Sequence, residues 1–289
     1  MTRQEFHDLT ARGPVILDGA TGSNLRAAGM PVGVSPELWV LEHPGALLDL
    51  QRAYVDAGAM ILCSPTFSTN RLSLKNFGLE DRVKELNARL TALSREAAGG
   101  KALIAGDLST LGRPLEPVGD MPYSTAYDTY REQMEALAEA GADLLAMETL
   151  MGADEAVAAL DAAADLDIPV WCSFSVEADG SLMFGGNVWE TAAMLQELGA
   201  AAVGVNCSVG PDQLESVIRS VRAAVDIPVV AKPNAGLPVM DGQGQAHYSM
   251  GPAEFARHMR VLADAGAGVL GGCCGTTPEY IRQLAAILI

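Results

Sequence analysis

A chain of 289 residues that is 49% hydrophobic but only 5% aromatic can bury a large core built from aliphatic side chains. Its formal net charge of −17 argues against nucleic acid, where binding rests on Lys and Arg neutralising phosphates, and for a solvating acidic surface or a partner with a basic patch. No apolar run reaches the roughly 18 residues of a membrane helix, the N-terminus lacks a signal peptide's apolar stretch, and five cysteines are an odd number, so a cytoplasmic chain without a disulfide framework is expected.

From the N-terminus onward, short β-rich apolar runs alternate with alanine-rich amphipathic stretches. Strands are predicted at residues 15–18, 60–64, 102–108, 144–149, 170–175, 203–208, 229–234 and 269–274. Helices are predicted at 45–57, 81–98, 127–140, 154–165, 190–198, 211–225, 253–265 and 278–288. Near-continuous apolar strands alternating with helices imply a parallel sheet covered by helices, and eight units of this kind match an α/β chain folded as a single (β/α)8 TIM barrel. A partial repeat agrees: Gly58-Ala59, Gly141-Ala142, Gly199-Ala200 and Gly266-Ala267 each end a helix, where a left-handed backbone is common. No linker or low-complexity tract divides the chain, so residues 1–289 are read as one barrel domain.

Barrel enzymes carry their chemistry at the C-terminal ends of the strands. Those ends here hold Asp18-Gly19-Ala20-Thr21-Gly22, Cys63-Ser64-Pro65-Thr66-Phe67, Asp107, Glu148-Thr149, Asn206-Cys207, Lys232-Pro233-Asn234 and Cys273-Cys274. The adjacent cysteines in Gly271-Gly272-Cys273-Cys274-Gly275 are the sharpest local feature. Neighbours on an ideal strand point to opposite faces, so two ligands in succession require the backbone to turn, which flanking glycines permit. With Cys207 two strands away they could form a three-thiolate cluster with one open position, the pattern of a catalytic zinc site. The alternative is reduced core thiols, the reading taken for Cys172 inside the fifth strand and preferred for Cys63.

The stretches Asp18-Gly19-Ala20-Thr21-Gly22, Gly204-Val205-Asn206-Cys207, Pro233-Asn234-Ala235-Gly236-Leu237-Pro238 and Gly271-Gly272-Cys273-Cys274-Gly275-Thr276-Thr277-Pro278 together resemble the homocysteine S-methyltransferase family. The likeness runs from about Val15 to the C-terminus and is strongest to the homocysteine-binding module of cobalamin-dependent methionine synthases. It implies a (β/α)8 barrel with one Zn2+ held by Cys207, Cys273 and Cys274, with Asn234 as a fourth ligand until homocysteine displaces it. It also implies Asp18 and Glu148 on the substrate ammonium and the amides of the Gly19, Ala20 and Thr21 turn on its carboxylate, with Thr66 completing the pocket. The zinc-bound thiolate would attack an electrophilic methyl to give methionine. Taken from the residues alone, Asn234 is equally a turn residue and Asp18 a helix cap.

The methyl donor is less marked. Val34 stands before Ser35-Pro36-Glu37 where betaine enzymes of the family place Trp, and Gly275 follows the cysteine pair where S-methylmethionine enzymes place Arg. Trp39 lies nearby in a helix-like context that reads as core. No cobalamin-binding Asp-x-His-x-x-Gly motif is present, so methylcobalamin is expected in trans, from a separate corrinoid protein with a methyltetrahydrofolate-binding partner, as in a split methionine synthase. Direct transfer from S-methylmethionine or betaine is the alternative. Two readings of other classes are a Schiff-base lyase using Lys232 and a non-catalytic subunit that binds zinc and homocysteine.

Overall fold

The apolar runs become strands because their side chains are buried on both faces, one toward a lumen and the other toward helices. The computed structural model describes residues 1–240 and 246–289. Its strands are β1 (Val15–Ile16), β2 (Ile61–Cys63), β3 (Leu103–Ser109), β4 (Leu144–Leu150), β5 (Val170–Phe174), β6 (Ala202–Asn206), β7 (Val229–Lys232), β8 (Pro238–Met240), β9 (Ala246–Tyr248) and β10 (Ala267–Leu270). Eight of them pair in parallel in the order β1-β10-β7-β6-β5-β4-β3-β2. The two ends of this sheet meet: Leu17 bridges Ile61, Met60 N–H donates to the Ile16 carbonyl at 2.7 Å, and Asp18 N–H donates to the Ile61 carbonyl at 3.1 Å. The sheet closes as the expected (β/α)8 barrel.

The predicted helices are present with shifted ends. The one read at 127–140 begins at Tyr123, and that read at 211–225 divides into a 3-10 turn, Pro211–Gln213, and a helix, Glu215–Ala224. Four short helices were not predicted: Arg3–Ala11, Gly22–Ala27, Pro36–Glu42 and Arg71–Lys75. The antiparallel β8–β9 hairpin was likewise unread. Each is too short for its periodicity to stand out. The helix Arg3–Ala11 starts at a capping box formed by Thr2 and Glu5, and its Phe6 packs with Trp171 and Val15 at the closed end of the lumen.

Alternation along the strands does more than fill the lumen. Ile61, Ala105, Ala146 and Val230 belong to one buried cluster around Trp171. Two residues further along each strand, on the same face, stand Cys63, Asp107, Glu148 and Lys232. The parity that packs apolar side chains inside the barrel therefore delivers a polar layer at its C-terminal mouth.

Two strand ends carry backbone strain. Thr149 and Cys207 adopt φ of 62° and 47°, in the left-handed region that non-glycine residues, β-branched ones above all, avoid. Asn206 bridges them: its Oδ1 accepts from Thr149 N–H at 2.7 Å, and its Nδ2 donates to Thr149 Oγ1 at 2.9 Å. Asn206 is fully buried, so truncating it leaves the Thr149 amide without its acceptor. Asn206→Ala should lower stability by about 1–3 kcal/mol in urea unfolding. Unchanged stability would show that other contacts hold the two strained ends.

Candidate metal centre

Three sulfurs converge where β6 and β10 end. One ligand atom from each of Cys207, Cys273 and Cys274 lies within 4.8 Å of the others, and the Cys207 and Cys274 sulfurs are 3.7 Å apart. The last predicted strand, 269–274, in fact stops at Leu270, which frees both cysteines from strand alternation. Beyond it the chain is pinned residue by residue: Gly271 N–H to the Ala231 carbonyl at 3.0 Å, Gly272 N–H to that of Asp18 at 3.1 Å, and Cys273 N–H to that of Pro233 at 2.8 Å. Gly275 turns the chain with φ of 82°, and a Cβ there would collide with the Tyr248 side chain of β9.

Asn234, expected as a fourth ligand, is hydrogen-bonded at both ends of its amide. Its Oδ1 accepts from Cys274 N–H at 3.1 Å while its Nδ2 donates to the Ser208 carbonyl. Both ends of the amide are engaged, so Asn234 ties the loop after Cys207 to the loop after Cys273. On the other side, Cys207 N–H donates to the Lys232 carbonyl at 3.2 Å, and Ser175 Oγ donates to the Cys207 carbonyl at 3.1 Å.

The donor set suits zinc. Four thiolates at about 2.3 Å from a tetrahedral ion would lie about 3.8 Å apart, close to the Cys207–Cys274 separation. Without a cation the thiols share their protons unequally. Hydrogen bonds from Cys207 and Cys273 hold the Cys274 thiol down to about 3, whereas hydrogen bonding to Cys207 and Cys274, with burial, pushes that of Cys273 well above its ordinary value. Crowded sulfurs of this kind call for a cation that relieves all three at once.

The three cysteines line a cavity of about 380 Å3 together with Gly19, Ala20, Thr21, Cys63, Asp107, Glu148 and Lys232. Lys232 Nζ donates to both Glu148 oxygens, at 2.9 and 3.1 Å, approaches Cys63 Sγ at 3.4 Å, and lies 3.8 Å from Asp18 Oδ1. Burial alone would lower the Lys232 ammonium, but the Cys63 sulfur and the carboxylates of Glu148, Asp18 and Asp107 outweigh it and hold it well above its usual range. A lysine kept charged is a poor Schiff-base nucleophile, which weighs against the lyase reading.

The predicted substrate residues separate into those that face the cavity and those behind it. Glu148 lines it. Asp18 is fully buried and absent from the lining; its Oδ2 accepts from Cys63 N–H at 2.8 Å, and burial, opposed by Lys232, pushes its carboxyl up to about 6. Thr66 does not complete the pocket wall: its hydroxyl turns inward and donates to the Asp107 carbonyl at 2.8 Å, leaving Pro65 and Phe67 at the surface of the cavity. In the glycine turn, Ala20 N–H already donates to Thr276 Oγ1 at 3.1 Å. Cys172 is core as expected, and the buried Cys63 thiol is pushed well above its ordinary value by burial and by Asp18. Trp39 is partly buried and stacks on His43, with ring centroids 4.4 Å apart. Asp107 and Lys232 were visible as strand-end residues, but only the closed barrel shows that they share a cavity with Glu148.

The fold recurs in known proteins, by sequence and by shape. Residues 15–288 match the family model described as homocysteine S-methyltransferase. The methionine synthase of Mycobacterium tuberculosis (strain ATCC 25618 / H37Rv) is 30% identical over 298 aligned positions, which take in 96% of this chain but 25% of that protein. That of Mycobacterium leprae (strain TN) is 31% identical, over 93% of this chain and 24% of its own length. The chain thus spans about a quarter of the length of these curated relatives. The metallated form of the homocysteine methyltransferase MmuM from Escherichia coli superposes with a TM-score of 0.83 at 26% identity, covering 96% of this chain and 97% of that one. With its barrel closed, its strand-end cysteines gathered and nearly its whole length matched, this chain belongs to the homocysteine S-methyltransferase family.

Proposed function

We propose that this chain methylates homocysteine to methionine, with the substrate thiol activated at a zinc ion held by Cys207, Cys273 and Cys274. The observation that carries this reading is the convergence of three sulfurs on a cavity that also carries Glu37, Asp107, Glu148 and Lys232, charged groups suited to an amino acid. A zinc ion there supplies the charge that lets a thiol bind as its thiolate near neutral pH and orients the attacking sulfur. Three cysteinates would give such a site a formal charge near −1, so a thiolate bound there would keep its nucleophilicity. Glu148 receives the substrate ammonium beside Lys232, and the turn at Gly19, Ala20 and Thr21, whose Ala20 amide is already taken by Thr276, receives the carboxylate on its remaining amides. Asp18, beneath the cavity, helps to keep Lys232 charged. A bond forms from sulfur to the methyl carbon as the bond from that carbon to its donor breaks, with the electron pair leaving on the donor. No proton moves at the methyl, so no acid or base is required there.

The methyl group comes, in this reading, from methylcobalamin carried by a corrinoid protein or domain, supplied in turn by a methyltetrahydrofolate-binding partner. Two observations support it. The curated relatives are methionine synthases about four times as long as this chain. Loops at the barrel mouth also expose Val32, Val118, Met183, Leu237 and Val239, apolar surface of the kind a docking module covers. A second reading, a small-molecule donor such as S-methylmethionine, is favoured by the near-complete overlap with the E. coli homocysteine methyltransferase. Betaine fits less well, because Phe67 is the one aromatic residue among the described residues lining the cavity, and a quaternary ammonium calls for an aromatic cage. Among the described residues no helix is long and apolar enough to cross a membrane. Thiols this close need a reducing compartment to stay open to metal, which supports a cytoplasmic location.

Cys273→Ala should take bound zinc from about one per chain to near none and abolish methyl transfer, with the far-ultraviolet spectrum unchanged. Full activity in that zinc-free variant would overturn the mechanism. Supplied with homocysteine, the zinc-loaded protein should form methionine from a methylcorrinoid protein; sustained turnover on S-methylmethionine alone would establish the second reading. Binding of zinc and homocysteine with no transfer from any donor would reduce the chain to a substrate-presenting subunit. Lys232→Met should destabilise the protein by about 3–5 kcal/mol at neutral pH, because it strands buried carboxylates. That penalty should shrink as pH falls and the carboxylates protonate; a penalty independent of pH would assign Lys232 a packing role alone.

A further inference from the structure

Three carboxylates, those of Asp18, Asp107 and Glu148, act on a single buried ammonium, that of Lys232. Glu148 is paired with it through both oxygens, and Asp18 lies beneath the cavity with its Oδ2 on the Cys63 amide; Asp18 Oδ1 has no hydrogen-bond partner among the described residues, but it lies 3.8 Å from Lys232 Nζ and outside the cavity lining. Glu37, which also lines the cavity, is occupied: its oxygens accept from Ser35 Oγ at 2.6 Å and Ser68 N–H at 3.0 Å. Asp107 remains. It lines the cavity, is 8% exposed, and its buried Oδ1 has no hydrogen-bond partner among the described residues. A buried carboxylate oxygen left unpaired carries a desolvation cost that a cationic donor would remove.

Resting on the function proposed above, we infer that Asp107 is a substrate-selecting residue: its carboxylate accepts the α-ammonium of the amino-acid thiol and makes the site prefer aminated over des-amino thiols. Glu148 meets that ammonium already paired with Lys232 through both oxygens, whereas Asp107 offers an oxygen with no hydrogen-bond partner among the described residues. An ammonium has three N–H donors, so two carboxylates on adjacent strands can share it. The backbone at Asp107 is held independently of its side chain, with its N–H on the Ser64 and Thr66 hydroxyls and its carbonyl accepting from Thr66 Oγ1. Burial first, then the neighbouring Glu148, opposed by Lys232 and reinforced by Asp18 and Glu37, pushes the free Asp107 carboxyl well above its usual range, the state a bound cation would reverse.

The test is calorimetric binding of homocysteine and of 4-mercaptobutyrate, which keeps the thiol and carboxylate and lacks the amine, to the zinc-loaded full chain. Asp107→Asn should weaken homocysteine by roughly 10- to 100-fold while leaving 4-mercaptobutyrate within about twofold, and Asp107→Ala should show the same split. Equal weakening of both thiols, or no change in their ratio, would overturn the assignment and leave Asp107 a structural residue. Absence of zinc from the unsubstituted protein would instead overturn the function on which the inference rests. Because Asn keeps the size of the side chain and cannot set a negative charge beside Glu148, Asp107→Asn should melt at or above the temperature of the unsubstituted chain.

Discussion

Everything at the mouth of this barrel is arranged around one buried cation. Lys232 reaches from β7 to Glu148 on β4 and toward Asp18 beyond β1, so its ammonium joins strands on different sides of the lumen. Removing such a group from water is costly, and the cost is offset only because anionic oxygens surround it. The converse holds with more force: without Lys232, several carboxylates would be buried with no counter-ion. The pair therefore sets the charge of the cavity floor and keeps it polar, while the lumen below is filled by Trp171 and its aliphatic neighbours.

The metal-binding side follows from a different constraint, the need to bring three sulfurs together from two strand ends. Neither end is regular strand. Cys207 sits in a strained conformation next to Asn206, and the two adjacent cysteines lie on a glycine-rich excursion after β10. Amide side chains act as struts, with Asn206 spanning to Thr149 and Asn234 spanning from the Ser208 carbonyl to the Cys274 amide. Thr276 adds a third strut, donating to the Cys273 carbonyl while accepting from Ala20 N–H. Each strut uses a donor and an acceptor, so the three cysteines are held without any ion, as the proposed binding and release of a substrate sulfur would require.

These two halves are chemically unlike and meet in one cavity: soft sulfurs on one part of its wall, hard carboxylates and an ammonium on another. A molecule that fits both must carry a thiol and a cationic group, with an anion for the backbone turn, and an amino-acid thiol has all three. The negative excess at the mouth also disfavours thiols that bring only further negative charge. Such discrimination comes from leaving a buried group unpaired when the wrong ligand enters, which is more selective than fitting shape alone.

Much of this was legible in the chain itself. Apolar runs spaced by amphipathic helices, with Gly58, Gly141, Gly199 and Gly266 at helix ends, were enough for the barrel, and all four glycines have positive φ. The strand-end rule was enough to collect Cys207, Cys273, Cys274, Asp18, Glu148, Asp107 and Lys232 as one set, because the direction of parallel strands is implied by the helices between them. What the sequence could not settle was which of these residues face one another. Strands buried on both faces show no alternation of polarity, so their parity about the lumen is invisible until the barrel closes. Only that closure put Lys232 on Glu148, turned Thr66 away from the cavity, engaged Asn234 in bridging two loops and left Asp107 Oδ1 without a hydrogen-bond partner among the described residues. Local sequence determined the elements and the kinds of side chain at their ends; the pairing of those side chains depended on register and distance across the barrel, which are properties of the closed sheet.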